Sequence, residues 1–209
     1  KTGFNPAFYN ASSVSVQQEK INQNPHFVYL VYFAPNVIKV GISQEERGIR
    51  RLLEQGARLA VKLETFSSAL IARQYEAKIS KLDGIVETLP VHKKMELIKQ
   101  PFDRAIGEKE LRQKLLEIEQ KIGVSFPKSK LIPCEDYFQT AGVDLSRVVL
   151  MKDYSQLVGH VRSVIGSIVI TDYDGQLLTY NIKKLIGYRA QKVDEEIELD
   201  LPTEQLTLF

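Results

Sequence analysis

The first half of the chain carries a phenol, two cations and a carboxylate whose types suit the hydrolysis of a phosphodiester bond. These residues are Tyr29, Lys39, Arg47 and Glu76. The reaction needs an activated water and a countercharge for the developing oxyanion. A glutamate can hold one divalent metal ion that polarises the phosphate, and an arginine can brace the phosphate through two hydrogen bonds. A tyrosine or a lysine beside the attacking water can orient it or accept its proton.

Each of these residues also has a structural interpretation. Tyr29 can be a core aromatic residue whose hydroxyl is hydrogen-bonded. Glu76 can be a surface helix residue that pairs with Arg73 or Lys78. Position in the fold decides between the two interpretations, because only residues that share one open cleft can act on one phosphate.

A basic cluster follows the second of the predicted strands. It comprises Arg47, Arg50, Arg51, Arg58 and Lys62. The net charge of +2 does not by itself indicate nucleic acid. A local basic patch can nevertheless hold DNA phosphates, so the last four of these residues are candidate DNA contacts. The alternative is a solvated helix face.

Alternating strand-like and helix-like segments position these residues. Residues 27–33, 37–43 and 59–66 are rich in β-branched and aromatic side chains and predict an antiparallel three-stranded sheet. Helices are predicted at 45–56, with Ser43 as the N-cap, and at 68–83, with Ser67 or Ser68 as the N-cap. Gly56 is a natural terminator of the first helix. Two more helices are predicted at 92–100 and 108–122.

The remaining segments predict an α+β protein with a second, smaller β-rich part. Residues 1–26 are polar and predict an irregular N-terminal arm with one helical turn, and residues 27–126 form the main domain. A small β-rich module is placed at 133–192, where Asp174-Gly175 predicts a hairpin. Residues 193–209 are expected to form an acidic flexible tail.

Composition excludes several classes of protein. Cys134 is the single cysteine, so neither an intramolecular disulfide nor a cysteine-rich zinc site is possible within this sequence. The longest apolar runs, such as residues 27–34, are too short to span a bilayer, so no membrane partner is expected. These features predict a cytoplasmic location.

The order strand, turn, strand, helix, strand, helix, with Tyr29, Lys39-Val40-Gly41, Arg47 and Glu76 in succession, resembles the GIY-YIG nuclease superfamily. The resemblance covers residues 27–83. It implies a catalytic set of Tyr29, Lys39, Arg47 and Glu76, with Glu76 holding one divalent metal ion, Mg or Mn. Gly41 would let the backbone approach closely.

A wider stretch is similar to a GIY-YIG-related branch known only as a domain of unknown function. The segments that carry this similarity are FNPAFYN (4–10), PHFVYLVYF (25–33), KVGIS (39–43), RRLLEQGAR (50–58) and ARQYEAKI (72–79). The sequence departs from the superfamily pattern in three ways. Phe27 replaces the first glycine, Lys39 replaces the second tyrosine, and no histidine lies on the first predicted helix.

Two functions from different classes are compatible with this pattern. The first is a metal-dependent DNA endonuclease in repair or in the processing of replication intermediates. The second is a non-catalytic DNA-binding or adaptor protein on a degenerate GIY-YIG scaffold. An open cleft shared by Tyr29, Lys39, Arg47 and Glu76 would favour the enzyme.

The last five residues resemble the short peptide by which bacterial proteins bind the sliding clamp. Gln205 would make polar contacts at the pocket edge, and Leu206, Leu208 and Phe209 would fill apolar pockets. The acidic run before them would keep the peptide extended. Alternatively, Leu208 and Phe209 dock back on the body of the protein.

We expect a peptide spanning residues 200–209 to bind a purified bacterial sliding clamp with micromolar affinity, about −8 kcal/mol or weaker. Its few apolar anchors would enter preformed pockets, so replacing both Leu208 and Phe209 by alanine should abolish binding. Titration of labelled peptide with clamp measures both. Equal binding of the two peptides, or none at roughly tens of micromolar clamp, would refute the motif.

Overall fold

The computed structural model describes residues 15–151 and 154–193. Residues 1–14 and 194–209 lie outside this part, and so do most of the predicted acidic tail and the clamp-like residues 205–209. The described chain is α+β, as predicted, with five α-helices and two sheets among these residues.

The first sheet contains the three antiparallel strands that the sequence predicted. β1 (His26–Ala34) lies between β2 (Val37–Gln44) and β3 (Leu59–Phe66). The sheet is wider than predicted, because β4 (Ile85–Val86) pairs in parallel with β2 and β5 (Lys130–Pro133) pairs antiparallel with β3. The order in the sheet is β4-β2-β1-β3-β5.

Strand β1 is buried along its whole length because both faces of the sheet are covered. Its odd-numbered residues, such as Tyr29 and Val31, join one apolar core, and its even-numbered residues, such as Val28 and Leu30, join another. The second core is filled from the helices α3 (Ala69–Ile79) and α5 (Arg104–Ile122). Burial on both faces explains why the strand is continuously apolar in sequence instead of alternating.

The segment after β2 differs from the prediction. The expected Ser43 N-cap is wrong, because β2 continues to Gln44 and Ser43 pairs with Phe27 of β1. The single helix predicted at 45–56 is divided into a 3-10 turn (Glu45–Arg47) and the short helix α2 (Gly48–Leu53). Gly48 has φ +46° and ψ −138°, a conformation that interrupts regular helix, so the two pieces cannot merge.

The other helices form close to the predicted positions. Ser68 caps α3 as predicted. α4 (Val91–Leu97) and α5 correspond to the helices predicted at 92–100 and 108–122, and α5 begins earlier because Asp103 caps the backbone N–H of Ile106. The N-terminal arm contains α1 (Val16–Gln23), which is longer than the single expected turn. No helix in residues 15–151 and 154–193 is long and apolar enough to cross a membrane.

The second sheet lies within the predicted β-rich region. It contains β6 (Val149–Leu150), β7 (His160–Ile165), β8 (Ile168–Tyr173) and β9 (Gln176–Asn181), in the order β6-β9-β8-β7. The hairpin predicted at Asp174-Gly175 is confirmed. Both residues have positive φ, +49° and +78°, as a type I′ turn requires.

The two sheets share one apolar core. Ile165, Ile168 and Ile170 of the second sheet pack with β1 residues of the first. The tightest approach is between two glycines at positive φ, Gly56 after α2 and Gly166 in the β7–β8 turn. A Cβ on Gly166 would lie 2.8 Å from the Gly56 nitrogen and 2.9 Å from the Glu54 carbonyl oxygen, so only glycine fits there.

Replacing Gly166 by alanine should therefore destabilise the protein by about 2 kcal/mol or more, since the added methyl group meets backbone that cannot move aside. Gly175→Ala is the matched control. It also has positive φ, but nothing lies within 4 Å of its Cβ, so strain alone should cost about 1 kcal/mol. Urea unfolding of the two variants measures the difference, and equal losses would show that the glycine contact between the sheets is unimportant.

Candidate functional site

A cleft of about 610 Å³ opens beside β1 and β2 and contains all four residues predicted to act on a phosphodiester. Tyr29 and Lys39 come from these strands, Arg47 from the 3-10 turn and Glu76 from α3. Their side chains are brought together because Tyr29 and Lys39 point to the same face of the sheet, and α3 packs along β2. The four residues therefore share one open cleft.

The glycine of the second strand makes room for the phenol. Gly41 pairs directly with Tyr29 across the two strands. A Cβ on Gly41 would lie 2.5 Å from the Tyr29 hydroxyl oxygen, so any larger residue would displace the ring. Lys39 lies near the same ring, with its Nζ 5.8 Å from the centroid, and donates a hydrogen bond to the Val40 carbonyl.

Three buried polar atoms in the cleft lack hydrogen-bond partners among the described residues. They are the Tyr29 hydroxyl oxygen, the Ser43 hydroxyl oxygen and the Arg51 Nε. Buried polar groups are nearly always hydrogen-bonded in folded proteins. Their concentration in this cleft is the pattern expected where a polar ligand completes the bonding.

Burial keeps the phenol neutral. It raises the pKa of Tyr29, and the Arg51 guanidinium opposes that shift. Arg51 lies close enough to favour the ionised phenol, but no hydrogen bond of standard geometry joins the two groups. Tyr29 therefore presents a neutral, buried hydroxyl at the base of the cleft.

Glu76 is 6% exposed, which distinguishes it from the surface residue of the structural interpretation. Its Oε2 accepts a hydrogen bond of 2.7 Å from Arg73, one of the two partners considered from the sequence. Burial raises the pKa of the Glu76 carboxyl, while Arg73 and Lys39 act in the opposite direction and Glu87 reinforces the shift. Glu76 is thus a desolvated carboxyl at the wall of the cleft.

Lys39 is a cationic group of the cleft whose proton is held less tightly than that of an ordinary lysine. Burial lowers the pKa of Lys39 to about 8, with a further decrease from Arg51, whereas Glu76 and Glu87 act to raise it. Near neutral pH, Lys39 is therefore a neutral amine in a fraction of the protein molecules.

The predicted DNA contacts separate into two groups. Arg51 lines the cleft, and Arg47 lies at its rim in an ion pair with Glu54. Arg50 is exposed on α2 and is not among the residues that line the cleft. An exposed ion pair is weak, so Arg47 can exchange Glu54 for a phosphate.

Arg58 and Lys62 have other partners in the structure. The Arg58 guanidinium donates to the carbonyls of Ile98 and Gln100, at 2.8 and 3.2 Å, and lies over the Phe102 ring. It thereby satisfies carbonyls at the end of α4 that have no helical partner. Lys62 pairs with Glu45. Neither residue lines the cleft.

Several cleft residues were not among the predicted site residues. They are His26, Gln55, Arg73, Glu87, Lys94 and Lys183. Three of them, Glu87, Lys94 and Lys183, come from segments distant from the predicted set. For Lys94, the only signal in the sequence for a place in the site was that it is a charged residue within an apolar helical pattern, beside Met95. Such a residue is ordinarily solvent-exposed, and only the fold shows that Lys94 is 7% exposed.

Lys94 is held deep in the cleft and has no carboxylate partner among the described residues. Its Nζ donates to the Gln55 carbonyl at 2.6 Å and lies 4.9 Å from the centre of the Phe33 ring. Burial lowers the pKa of Lys94 to about 7, and repulsion from Lys183, Lys39 and Arg51 adds to this decrease.

The cleft also contains a histidine, His26, which is the first residue of β1. Its Nδ1 lies 2.8 Å from the Asn24 carbonyl oxygen, which can only accept, so Nδ1 carries the proton and Nε2 is the acceptor. Burial lowers the pKa of His26, although the Asn24 hydrogen bond opposes this. The imidazole is therefore neutral at neutral pH.

Two of the residues that line the cleft carry carboxylates, the groups by which proteins commonly hold divalent metal ions. They are Glu76 and Glu87, and each influences the ionisation of Lys39. Within the described ranges, no group of three or more His, Cys, Asp or Glu residues could hold a metal by itself. Mg²⁺ commonly uses one or two carboxylates and takes its remaining ligands from phosphate and water.

Comparison with known protein families assigns the chain to one of them. Residues 13–190 match DUF2797, described as a protein of unknown function, and the chain belongs to this family. No curated protein and no solved structure shows significant similarity to it.

Lys94→Met should reduce the pH dependence of stability. Folded Lys94 loses its proton near pH 7, whereas the unfolded side chain keeps it to about pH 10. Between these values unfolding takes up a proton, so stability rises with pH and is lost as pH falls. From about pH 6 to 9, the free energy of unfolding of the wild type should increase by about 2 kcal/mol more than that of the variant.

Urea unfolding followed by circular dichroism at several pH values measures this difference. Lys93→Met is the control, because Lys93 is exposed and pairs with Glu96. Its curve should run parallel to that of the wild type. A parallel curve for Lys94→Met would show that Lys94 titrates as an ordinary lysine.

Proposed function

We propose that this protein is a metal-dependent DNA endonuclease with a GIY-YIG-like site. The supporting observation is that Tyr29, Lys39, Arg47 and Glu76 line one open cleft, in the strand and helix order that suggested the superfamily. Lys39 takes the place of a tyrosine in this site, and Gly41 accommodates the Tyr29 ring.

The charge of the cleft supports a polyanionic substrate. Basic side chains outnumber acidic ones along its walls, with Lys39, Arg47, Arg51, Arg73, Lys94 and Lys183 against Glu76 and Glu87. Nucleic acid binds such surfaces because each phosphate contact releases condensed counterions. The modest net charge of the whole chain, +2, conceals this local excess.

The residues of the chain divide the chemistry among themselves. Lys39, as a neutral amine, accepts the proton of the attacking water, and the neutral hydroxyl of Tyr29 orients that water. Arg51, whose Nε lacks a partner within the described residues, and Arg47 at the rim brace the phosphate oxygens. Glu76, assisted by Glu87, would hold a divalent metal ion, Mg or Mn, which supplies Lewis-acid polarisation of the phosphate.

Recruitment to DNA completes the proposal. The residues Gln205, Leu206, Leu208 and Phe209 would bind the sliding clamp and raise the local concentration of the protein at replicating or repaired DNA. This would place the enzyme in DNA repair or in the processing of replication intermediates.

One observation favours a non-catalytic alternative. The buried Glu76 carboxyl is paired with Arg73, so the cleft can bind a phosphate without any metal ion. A DNA-binding adaptor on the same scaffold would need only the cationic walls.

Glu76→Gln should reduce metal-dependent cleavage of DNA by at least about a hundredfold and leave DNA affinity within about twofold. Glutamine removes the charge that holds the metal but keeps a carbonyl oxygen for Arg73. Cleavage of labelled branched, nicked and linear DNA with Mg or Mn, together with binding by fluorescence anisotropy, measures both effects.

Glu96→Gln is the matched control, because Glu96 is exposed on α4 and does not line the cleft. It should cleave like the wild type. Undiminished cleavage by Glu76→Gln would show that the site is misassigned. Binding without cleavage by the wild-type protein, under every metal tested, would favour the adaptor.

A further inference from the structure

The cleft has two chemically different ends. At one end, the acidic residues Glu76 and Glu87 offset the charge of Lys39. At the other end, the charged groups that act on Lys94 are all cations, namely Lys183, Lys39 and Arg51. Mutual repulsion in a desolvated site is unfavourable unless an anion relieves it.

Lys94 is fixed in position by the protein and still has hydrogen-bonding capacity. Its ammonium has three donors, and the Gln55 carbonyl is the acceptor that the described structure provides. The Phe33 ring below the Nζ restricts the side chain further. A ligand in the cleft can therefore use the remaining donors without rearrangement of the lysine.

Lys183 reaches the same cleft from the second sheet. It lies in the 3-10 turn (Ile182–Leu185) that directly follows β9. The start of the turn is anchored, because the Lys183 backbone N–H donates to the Asn181 side chain and the Ile182 N–H donates to the Ser167 carbonyl. Helix α4 packs against β9, and Lys94 and Lys183 both line the cleft.

Arg51 acts on the ionisation of both Lys39 and Lys94 and so connects the two ends of the cleft. Its Nε is buried and unpartnered within the described part of the chain, although its terminal nitrogen lies 3.7 Å from Glu54. A guanidinium presents its donors in a planar fork that matches two oxygens of a phosphate.

We propose that Lys94 and Lys183 form a second phosphate-binding subsite, next to the phosphate that Arg47 and Arg51 brace at the Glu76 end of the cleft. This inference rests on the proposed function and extends it. The subsite takes the backbone phosphate next to the one attacked, so the strand is held at two successive phosphates. The second sheet thereby contributes directly to substrate binding, through Lys183.

A thymidine dinucleotide with and without a terminal phosphate isolates this contact. The internucleotide phosphate occupies the Glu76 end, and a 5′- or 3′-terminal phosphate would reach the subsite. Using the full chain and isothermal titration calorimetry, we expect one of the two phosphorylated forms to bind the wild type roughly tenfold more tightly than the unphosphorylated form. In Lys183→Met this gain should disappear.

Lys184→Met is the matched control, because it removes the same charge one residue away. Its Nζ lies over the Tyr154 ring instead of lining the cleft. The gain should persist in this variant. Lys94→Met should lose the gain as Lys183→Met does, and Lys93→Met should keep it, with circular dichroism confirming that all four variants are folded.

The outcomes separate this inference from the proposed function. A gain that depends on Lys183 but not on Lys184, in a protein that cleaves no DNA, supports the subsite and contradicts the nuclease. Cleavage with no gain from either terminal phosphate, or with a gain that Lys183→Met retains, overturns the subsite and leaves the nuclease standing.

Discussion

Strand β1 is buried on both faces, and the rest of the structure follows from this constraint. One face needs helices α3 and α5 to cover it, and the other needs the second sheet. Tyr29 projects from the second of these faces, so its hydroxyl lies below the surface and next to Lys39 and Gly41. A strand exposed on one face would have placed the same phenol in water. The depth of the cleft is therefore a consequence of how the sheet is covered.

Charged groups at this depth are unfavourable for folding, and the structure compensates for them unequally. Glu76 has Arg73 as a partner, which offsets part of the cost of removing the carboxylate from water. Lys94 has a carbonyl and an aromatic ring, neither of which carries a full negative charge. Desolvated groups with strongly shifted pKa values concentrate at functional sites, because stability alone would not retain them. The buried, unpartnered atoms of Tyr29, Ser43 and Arg51 are consistent with this view.

The second sheet acts on the site through its packing against the first. The close approach of Gly166 to Gly56 fixes the position of the β7–β8 turn against the end of α2, the helix that carries Arg51. Farther along the chain, the turn after β9 brings Lys183 to the cleft. A region without any interpretable motif in its sequence thus forms part of the wall around the candidate active site. The match to DUF2797 covers residues 13–190 and so includes both sheets.

The sequence alone determined the α+β class, the three central strands, the Asp174-Gly175 hairpin and the Ser68 cap, because these depend on local periodicity and turn chemistry. It also suggested Tyr29, Lys39, Arg47 and Glu76 as candidate site residues, through a resemblance carried by their order along the chain. The tertiary structure decided which cations face the cleft. It placed Arg51 there, tied Arg58 to the carbonyls at the end of α4, and brought in Lys94 and Lys183 from distant segments. A charged residue looks the same in sequence whether it is solvated or desolvated, and only long-range packing creates that difference.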